Sequence, residues 1–534
     1  MFSGHNYIGF TPGSQGEKKL KVFSTARQDF LPEDFSVATD DEIQVATEKA
    51  AAAFDVYKKI DSDQRAAFLE TIAEEISNLG DKLIQRAILE TGLTEARLTG
   101  ERARTMNQLR MFANLLREGS WVEAVIDPAM PDRKPLPRAD LRKMLLPIGP
   151  VVVFGASNFP FAFSTAGGDT ASALAAGCPV IVKAHSSHLG TNELVATAII
   201  AAAKKTGMPD GVFSFLIGEG GKLGQALAKH PAIKAIGFTG SYKAGMSLYK
   251  TATSERAVPI PVYAEMSSIN PVLVLPEKIE ASADAVAAQL SASITLGVGQ
   301  FCTNPGLIFV IDQPITETFI SKLSNQLAAV PEATMLNQTI CKSYYTGRGK
   351  ITHEKGVKTV FLGEDAGNSF KGSPGLFEVN AIDFISNNDL QNEIFGPASL
   401  VIRCSDQAQL IQALHSVHGQ LTATVFGTPG DIRDYKDCVN ILVEKCGRLV
   451  FNSVPTGVEV CHAMIHGGPF PATTDGRTTS VGAEAIKRFV RPVCFQDCPE
   501  DFLPDPLKDS NPLGIMRKVD GIYVTATRFQ EQEH

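Results

Sequence analysis

The stretch "LGVGQFCTNPG", residues 296–306, carries a single cysteine, Cys302, among small residues and a proline. A thiolate is a strong nucleophile. A cysteine in an apolar run is more often inert packing, because free cysteine is among the most buried residue types. Four other stretches hold groups that could work beside it. In "GASNFPFAF", Asn158 follows an apolar run, where its amide can donate to a developing oxyanion or simply shape a turn. In "PVYAEMSSINP", Glu265 ends an apolar run. Half-buried there, its carboxyl would have a raised pKa suited to a general base; paired with a Lys or Arg it would be structural. In "NEIFGP", Glu393 can accept both hydroxyls of a ribose and Phe395 can pack on a planar ligand, or the two are a surface acid beside a core ring. In "FTGSYKAG", Gly240 and Gly245 open a helix at which backbone can approach a phosphate, although a tight strand-to-helix turn needs the same residues. The pattern is neither G-x-G-x-x-G nor a P-loop.

Several chemistries are excluded or left without support. Among the ten histidines, His415 and His418 lie close, but no Cys, Asp or Glu set stands at a supporting spacing, so no metal is expected. No Gly-x-Ser-x-Gly elbow follows a strand. The nine cysteines are an odd count scattered from Cys178 to Cys498, which is no disulfide framework and fits a reducing cytoplasm. Hydrophobic residues make up 44% and charged residues 20%, with a net charge of -8, as in ordinary soluble proteins. With no long basic run, no nucleic-acid partner is expected. The start "MFSGHNYIGF" does not read as a signal peptide. The apolar stretch "TASALAAGCPVIVKA" is broken by Gly177 and Pro179 and closed by Lys183, so no membrane association is expected.

The elements that must position these groups follow from hydrophobic patterning. At 534 residues the chain calls for two or three domains. Residues 40–118 read as helices, with Asp at a start, apolar residues at helical spacing, and Gly80 and Gly92 as punctuation. "DPAMPDRKPLPRADLRKMLLPIGP" is a proline-rich excursion or edge hairpin. From Val151 the pattern becomes short apolar runs alternating with helices: "VVVFGAS", "PVIVKA", "VFSFLIG", "AIGFTGS" and "VPIPVYAEM". That alternation predicts a parallel sheet with right-handed crossovers and a dinucleotide or phosphate ligand at the carboxyl ends of its strands. A second α/β segment follows, in which a helix leads into the Cys302 turn and "LIFVID", "ASLVIRC" and "TATVFG" are strands. Beyond Pro499 the tail is proline-rich, with a terminal strand expected at "GIYVT".

The stretches "FGASNFPFAF", "FTGSYKAG", "YAEMSSINP", "GQFCTNPG" and "NEIFGP" occur in the order and near the spacing of the aldehyde dehydrogenase superfamily, which the chain resembles over roughly residues 40–496. The resemblance implies an α/β fold with a Rossmann-like cofactor domain (1–126 and 147–268). It implies an α/β catalytic domain carrying Cys302 (269–467) and a small β oligomerisation arm with a C-terminal tail (127–146 and 485–534). It implies that Cys302 attacks the aldehyde, that Asn158 with the Cys302 N–H holds the oxyanion, and that Glu265 activates water. Lys183 and Glu393 resemble the ribose-binding pair; Gly240, Ser241 and Gly245 resemble the turn near the pyrophosphate. Family members are homodimers or homotetramers acting on small-molecule aldehydes.

Two departures matter. Many members have Glu-Leu-Gly-Gly where this chain has "EMSS". Many NAD-preferring members carry a glutamate where Ser186 stands. A glutamate would repel a ribose 2′-phosphate and a serine can bond it, so NADP is expected, with NAD also usable. Lys222 is a candidate phosphate partner. The stretches "FSTAGGDTASALAAGCPVIVKAH" and "FNSVPTGVEVCHAMIHGGPFPATTDGRTTSVG" resemble 2,5-dioxovalerate (2-oxoglutarate semialdehyde) dehydrogenases and the fatty-aldehyde dehydrogenases of luminous bacteria. The expected reaction is therefore oxidation of 2,5-dioxopentanoate to 2-oxoglutarate. Competing readings are a broad-specificity or long-chain aldehyde dehydrogenase, a CoA-acylating member, a non-catalytic dinucleotide-binding protein, and a cysteine hydrolase. The CoA-acylating reading is disfavoured by Glu265, and the hydrolase would want a histidine paired with Cys302.

Overall fold

The computed structural model describes residues 2–365 and 367–525. The first sheet has seven strands, in the order Val262–Glu265, Ala235–Thr239, Val151–Phe154, Val180–Lys183, Phe213–Leu216, Asn6–Ile8 and Thr11–Gly13. The first five are parallel. Val151–Phe154, Val180–Lys183 and Phe213–Leu216 are buried at every residue, as continuous apolar runs must be when helices cover both faces. The chain moves outward from Val151–Phe154 through two strands, then crosses back to the other side. Its switch point lies between Val151–Phe154 and Ala235–Thr239, where doubly wound sheets open a crevice at their carboxyl ends.

Helices Asp40–Tyr57, Ser62–Asn78, Gly80–Thr91 and Glu95–Glu118 stand where the periodicity predicts them. Thr39 and Glu42 form a capping box, Asp61 and Thr94 cap the next starts, and Gly92 and Gly119 end helices in the left-handed conformation. The strands Asn6–Ile8 and Thr11–Gly13 have no counterpart in the sequence reading. They are three residues long, too short for a periodic signal, and Asn6–Ile8 joins the sheet edge antiparallel to Phe213–Leu216.

The second sheet orders Lys358–Leu362, Gly375–Asn380, Ala398–Cys404, Leu307–Ile311, Val272–Val274, Gln420–Phe426 and Cys446–Phe451. All pairs are parallel except the first. A five-stranded sheet joins Val125–Asp127 and Leu141–Pro147 to Val490–Gln496, Arg517–Val519 and Ile522–Val524. The proline-rich tail is anchored rather than extended: Leu503, Leu507 and Ile515 are buried in the core under the first sheet, and Arg142 donates to the Leu507 carbonyl at 2.7 Å. The last residues of the expected tail, 526–534, lie outside the described residues.

The Cys302 turn sits between helix Pro276–Thr295 and strand Leu307–Ile311. Gly297, Val298 and Gly299 all have positive φ, between 54° and 64°, which reverses the chain tightly. At Gly299 a side chain has no room: a Cβ would come 2.3 Å from the carbonyl carbon of Gly396. The Asn270 amide donates to the carbonyls of Cys302 (2.8 Å) and Asn304 (2.9 Å), and Asn304 donates to the Gly396 carbonyl. Three of the motif stretches are thereby tied into one unit. Gly299→Ala is expected to destabilise the protein by at least ~2 kcal/mol, from left-handed strain plus displacement of Gly396. Chemical denaturation checks this; an unchanged midpoint would refute the close approach.

Candidate active site

A cavity of about 540 Å³ opens at the switch point and runs to Cys302. Its lining includes Asn158, Lys183, Gly240, Ser241, Glu265, Cys302, Glu393 and Phe395, so eight residues singled out in the sequence converge on one space.

Glu265 ends the strand Val262–Glu265 and is fully enclosed. Its Oε1 lies 3.0 Å from Nε2 of His466, and its Oε2 accepts from the Ser480 hydroxyl at 2.7 Å. The same His466 Nε2 lies 3.4 Å from the Cys302 sulfur. His466 is held by its backbone: its N–H donates to the Thr479 hydroxyl at 2.8 Å, and its carbonyl accepts from the Ser480 N–H at 2.8 Å. Its Nδ1 is buried with no partner among the described residues. A proton there would be an unsatisfied buried donor, so the ring proton is assigned to Nε2, facing the carboxylate and the thiol.

These contacts correct one expectation. Burial alone would raise the Glu265 carboxyl, but the electrostatic attraction and hydrogen bond of His466, with the bond from Ser480, hold it below its ordinary value. The carboxylate is ionised at neutral pH. Cys302 moves the other way: burial and the neighbouring Glu265 charge push its thiol well above the usual range. The resting sulfur is therefore a thiol beside an ionised base that can take its proton.

Asn158 stands just past Val151–Phe154. Its Nδ2 donates to the Gln300 carbonyl at 3.1 Å, which leaves the second amide hydrogen available. Its backbone carbonyl accepts from Arg97 at 2.6 Å, and the Arg97 guanidinium packs against the rings of Phe159 (4.9 Å) and Phe301 (4.6 Å), which meet each other edge-to-face. The oxyanion candidate and the cysteine turn are thus braced against each other.

On the cofactor side, burial lowers the Lys183 ammonium to about 8 and raises the Glu393 carboxyl to about 7, the latter against hydrogen bonds from Ser267 and the Ser268 backbone. A buried cation, a half-buried acid and an open crevice at the switch point fit a nicotinamide dinucleotide. Three expected residues stand outside the cavity lining. Gly245 is consumed by packing, since a Cβ there would meet the Met266 side chain at 2.8 Å. Ser186 and Lys222 are exposed, each one residue beyond a lining residue, His185 and Gly221. Gly240 lines the cavity, but its N–H donates to the Glu265 carbonyl at 3.0 Å and is not free for a phosphate.

Sequence reading missed His466 and His185. His185 lines the cavity and stacks on His188, with ring centroids 5.2 Å apart; burial and these neighbours hold it well below the usual imidazole range. His466 lies 164 residues from Cys302 and 201 from Glu265, beyond any local spacing rule. No metal-binding set was expected either, yet Cys302, His466 and Glu265 present ligand atoms all within 4.8 Å of one another, a set that could hold a metal ion.

A histidine near the cysteine is what a cysteine hydrolase would need, so geometry alone leaves two chemistries. Comparison with known proteins decides. The aldehyde dehydrogenase family matches residues 10–491, and the chain belongs to that family. Within it, the chain is 54% identical to alpha-ketoglutaric semialdehyde dehydrogenase 2 of Azospirillum brasilense over 98% of this chain and 99% of that one. It is 49% identical to the alpha-ketoglutaric semialdehyde dehydrogenase of Acinetobacter baylyi, over 91% and 92% of the two chains. Among solved structures, 1-pyrroline-5-carboxylate dehydrogenase from Thermus with bound NAD superposes with a TM-score of 0.77 at 21% identity, covering 92% of each chain. Betaine aldehyde dehydrogenase from Staphylococcus aureus in complex with NAD+ gives 0.79 at 18%, covering 94% of this chain and 97% of that one. These two establish the fold. No helix among the described residues is long and apolar enough to cross a membrane.

Replacing His466 by Leu removes a principal brace on the Glu265 carboxylate, so its pKa must rise. The acid limb of the kcat profile is expected to move to higher pH, with kcat lowered about 100-fold at neutral pH. A limb that stays in place would show that His466 does not control the carboxylate.

Proposed function

We propose that the chain oxidises 2,5-dioxopentanoate, the alpha-ketoglutaric semialdehyde of its relatives' names, to 2-oxoglutarate with NAD(P)+. The observation that carries this reading is the Cys302–His466–Glu265 cluster, with Cys302 half-buried, at the inner end of a dinucleotide-sized crevice. High identity along nearly the whole length of two proteins named for that substrate supports it.

The residues divide the work as follows. Cys302 passes its proton to Glu265 and attacks the aldehyde carbon. The oxygen becomes an oxyanion, met by the free amide hydrogen of Asn158 and the Cys302 N–H. When bound, a nicotinamide dinucleotide supplies the hydride acceptor, held by Lys183, Glu393 and Phe395. Loss of hydride turns the thiohemiacetal on Cys302 into a thioester. Glu265 releases the thiol's proton to solvent through the open crevice, a return to the carboxylate that His466 and Ser480 favour. The carboxylate then takes a proton from water, which attacks the thioester; the acid leaves and the Cys302 thiolate recovers a proton from Glu265. The Glu265 base separates this route from CoA acylation.

The coenzyme is NADP in preference to NAD, because Ser186 presents a hydroxyl where a carboxylate would repel a 2′-phosphate; Lys222, exposed beside Asp40, is the candidate cation for that phosphate. The five-stranded sheet is the oligomerisation arm of a homodimer or homotetramer, and the protein works in the cytoplasm. The first sheet with its helices binds cofactor, and the second carries the nucleophile.

Incubation with 2,5-dioxopentanoate should yield 2-oxoglutarate and reduced nicotinamide without CoA, and Cys302→Ala should abolish both. Acyl-CoA as the obligatory product would overturn the reading. Wild-type kcat/KM should favour NADP over NAD, and Ser186→Glu should reverse the order; a wild-type preference for NAD sinks the coenzyme assignment.

A further inference from the structure

The helix Glu95–Glu118 carries two arginines two turns apart on one face, Arg97 against Phe301 beside Cys302 and Arg104 against Phe163. Arg97 is committed to Asn158 and to two aromatic rings. Arg104 is not. Its Nε donates to the Val458 carbonyl at 3.3 Å, and its guanidinium lies 5.2 Å from the Phe163 ring centre. Its Nη1 and Nη2 are buried and have no hydrogen-bond partner among the described residues.

Neighbouring groups do not fill that edge. Glu101, one turn back, accepts from the N–H groups of Phe161 (2.8 Å) and Ala162 (3.0 Å) and makes no ion pair with Arg104. Arg448, another arginine near the cysteine, spends both terminal nitrogens on the carbonyls of Pro455 and Gly457. A desolvated guanidinium with two idle N–H edges is costly to fold and needs an anion. Its planar fork matches a carboxylate bidentately.

The position suits the substrate named above, and the inference rests on that reading. Phe163 bridges the two sites, with its ring 6.0 Å from His466 on one side and against Arg104 on the other. Glu101 exerts the largest electrostatic pull on Arg104 without bonding to it, and Cys302, Glu459 and Glu265 follow, so the guanidinium is within charge range of the nucleophile. Extended 2,5-dioxopentanoate spans about 5 Å from aldehyde carbon to carboxylate carbon. The carbons between would lie along the apolar group of Phe159, Phe163, Val458 and Met464. We propose that Arg104 is the residue that binds the substrate's carboxylate, through its Nη1 and Nη2, and so selects a five-carbon oxo acid over an uncharged aldehyde.

The test compares kcat/KM for 2,5-dioxopentanoate and for pentanal, which has the same length and no carboxylate. In Arg104→Leu the ratio of the two should fall about 100-fold, chiefly through KM for the oxo acid, and the inhibition constant of 2-oxoglutarate should rise in parallel. Arg104→Lys keeps the charge without the fork and should lower the ratio about 10-fold, which keeps the test open if the leucine variant does not fold. An unchanged ratio in either folded variant, judged by thermal unfolding, overturns the role of Arg104 alone. A wild-type enzyme that prefers pentanal to the oxo acid overturns the substrate reading, and with it this inference.

Discussion

The structure depends on one buried negative charge. Glu265 sits at the end of a parallel strand, only 4% exposed, where an ionised carboxylate is tolerated only if donors surround it. Those donors come from a single distant segment. His466 and Ser480 are brought in because the chain around residues 466–480 folds over the end of the first sheet, with Met266 N–H bonded to the Ala472 carbonyl at 2.7 Å and Thr474 N–H to the Ala264 carbonyl at 3.1 Å. The segment that closes the site is therefore the one that sets its charge. Cys302 is drawn into the same arrangement by its contact with His466, and its raised thiol is the other face of the lowered carboxylate.

Much of the fold was legible because its physics is local. Fully buried parallel strands show as unbroken apolar runs, helix ends show as caps and glycines, and both patterns survive in a single sequence. The reactive groups were legible for a different reason: each closes a strand or a turn, where a doubly wound sheet places its ligand. What stayed hidden is set by tertiary contact. His466 carries no local mark that separates it from the neighbouring His462, and only the folded chain brings it to the sulfur. The sign of the Glu265 shift was misread because burial, which can be inferred from flanking residues, was outweighed by partners that cannot. The short strands at the start of the chain escaped because three residues carry no period.

The glycines show how one residue type serves unlike ends. Gly299 is needed for a left-handed turn against Gly396. Gly245 lets the helix Tyr242–Ser254 approach Met266. Gly240 spends its N–H on the Glu265 carbonyl. The glycines of "FTGSYKAG", expected to open a phosphate turn, therefore record backbone packing.

The separation of the reactive groups along the chain has a consequence for synthesis. Cys302, His466 and Glu265 cannot meet until almost the whole polypeptide has been made, because the bonds joining them span 164 and 201 residues. During translation the thiol emerges after Glu265 but before His466 and Ser480, the groups that hold that carboxylate ionised, and domains form from the N-terminus first. The site is thus completed last, after both sheets exist to shelter it, and a partly made chain has no braced base with which to turn over an aldehyde.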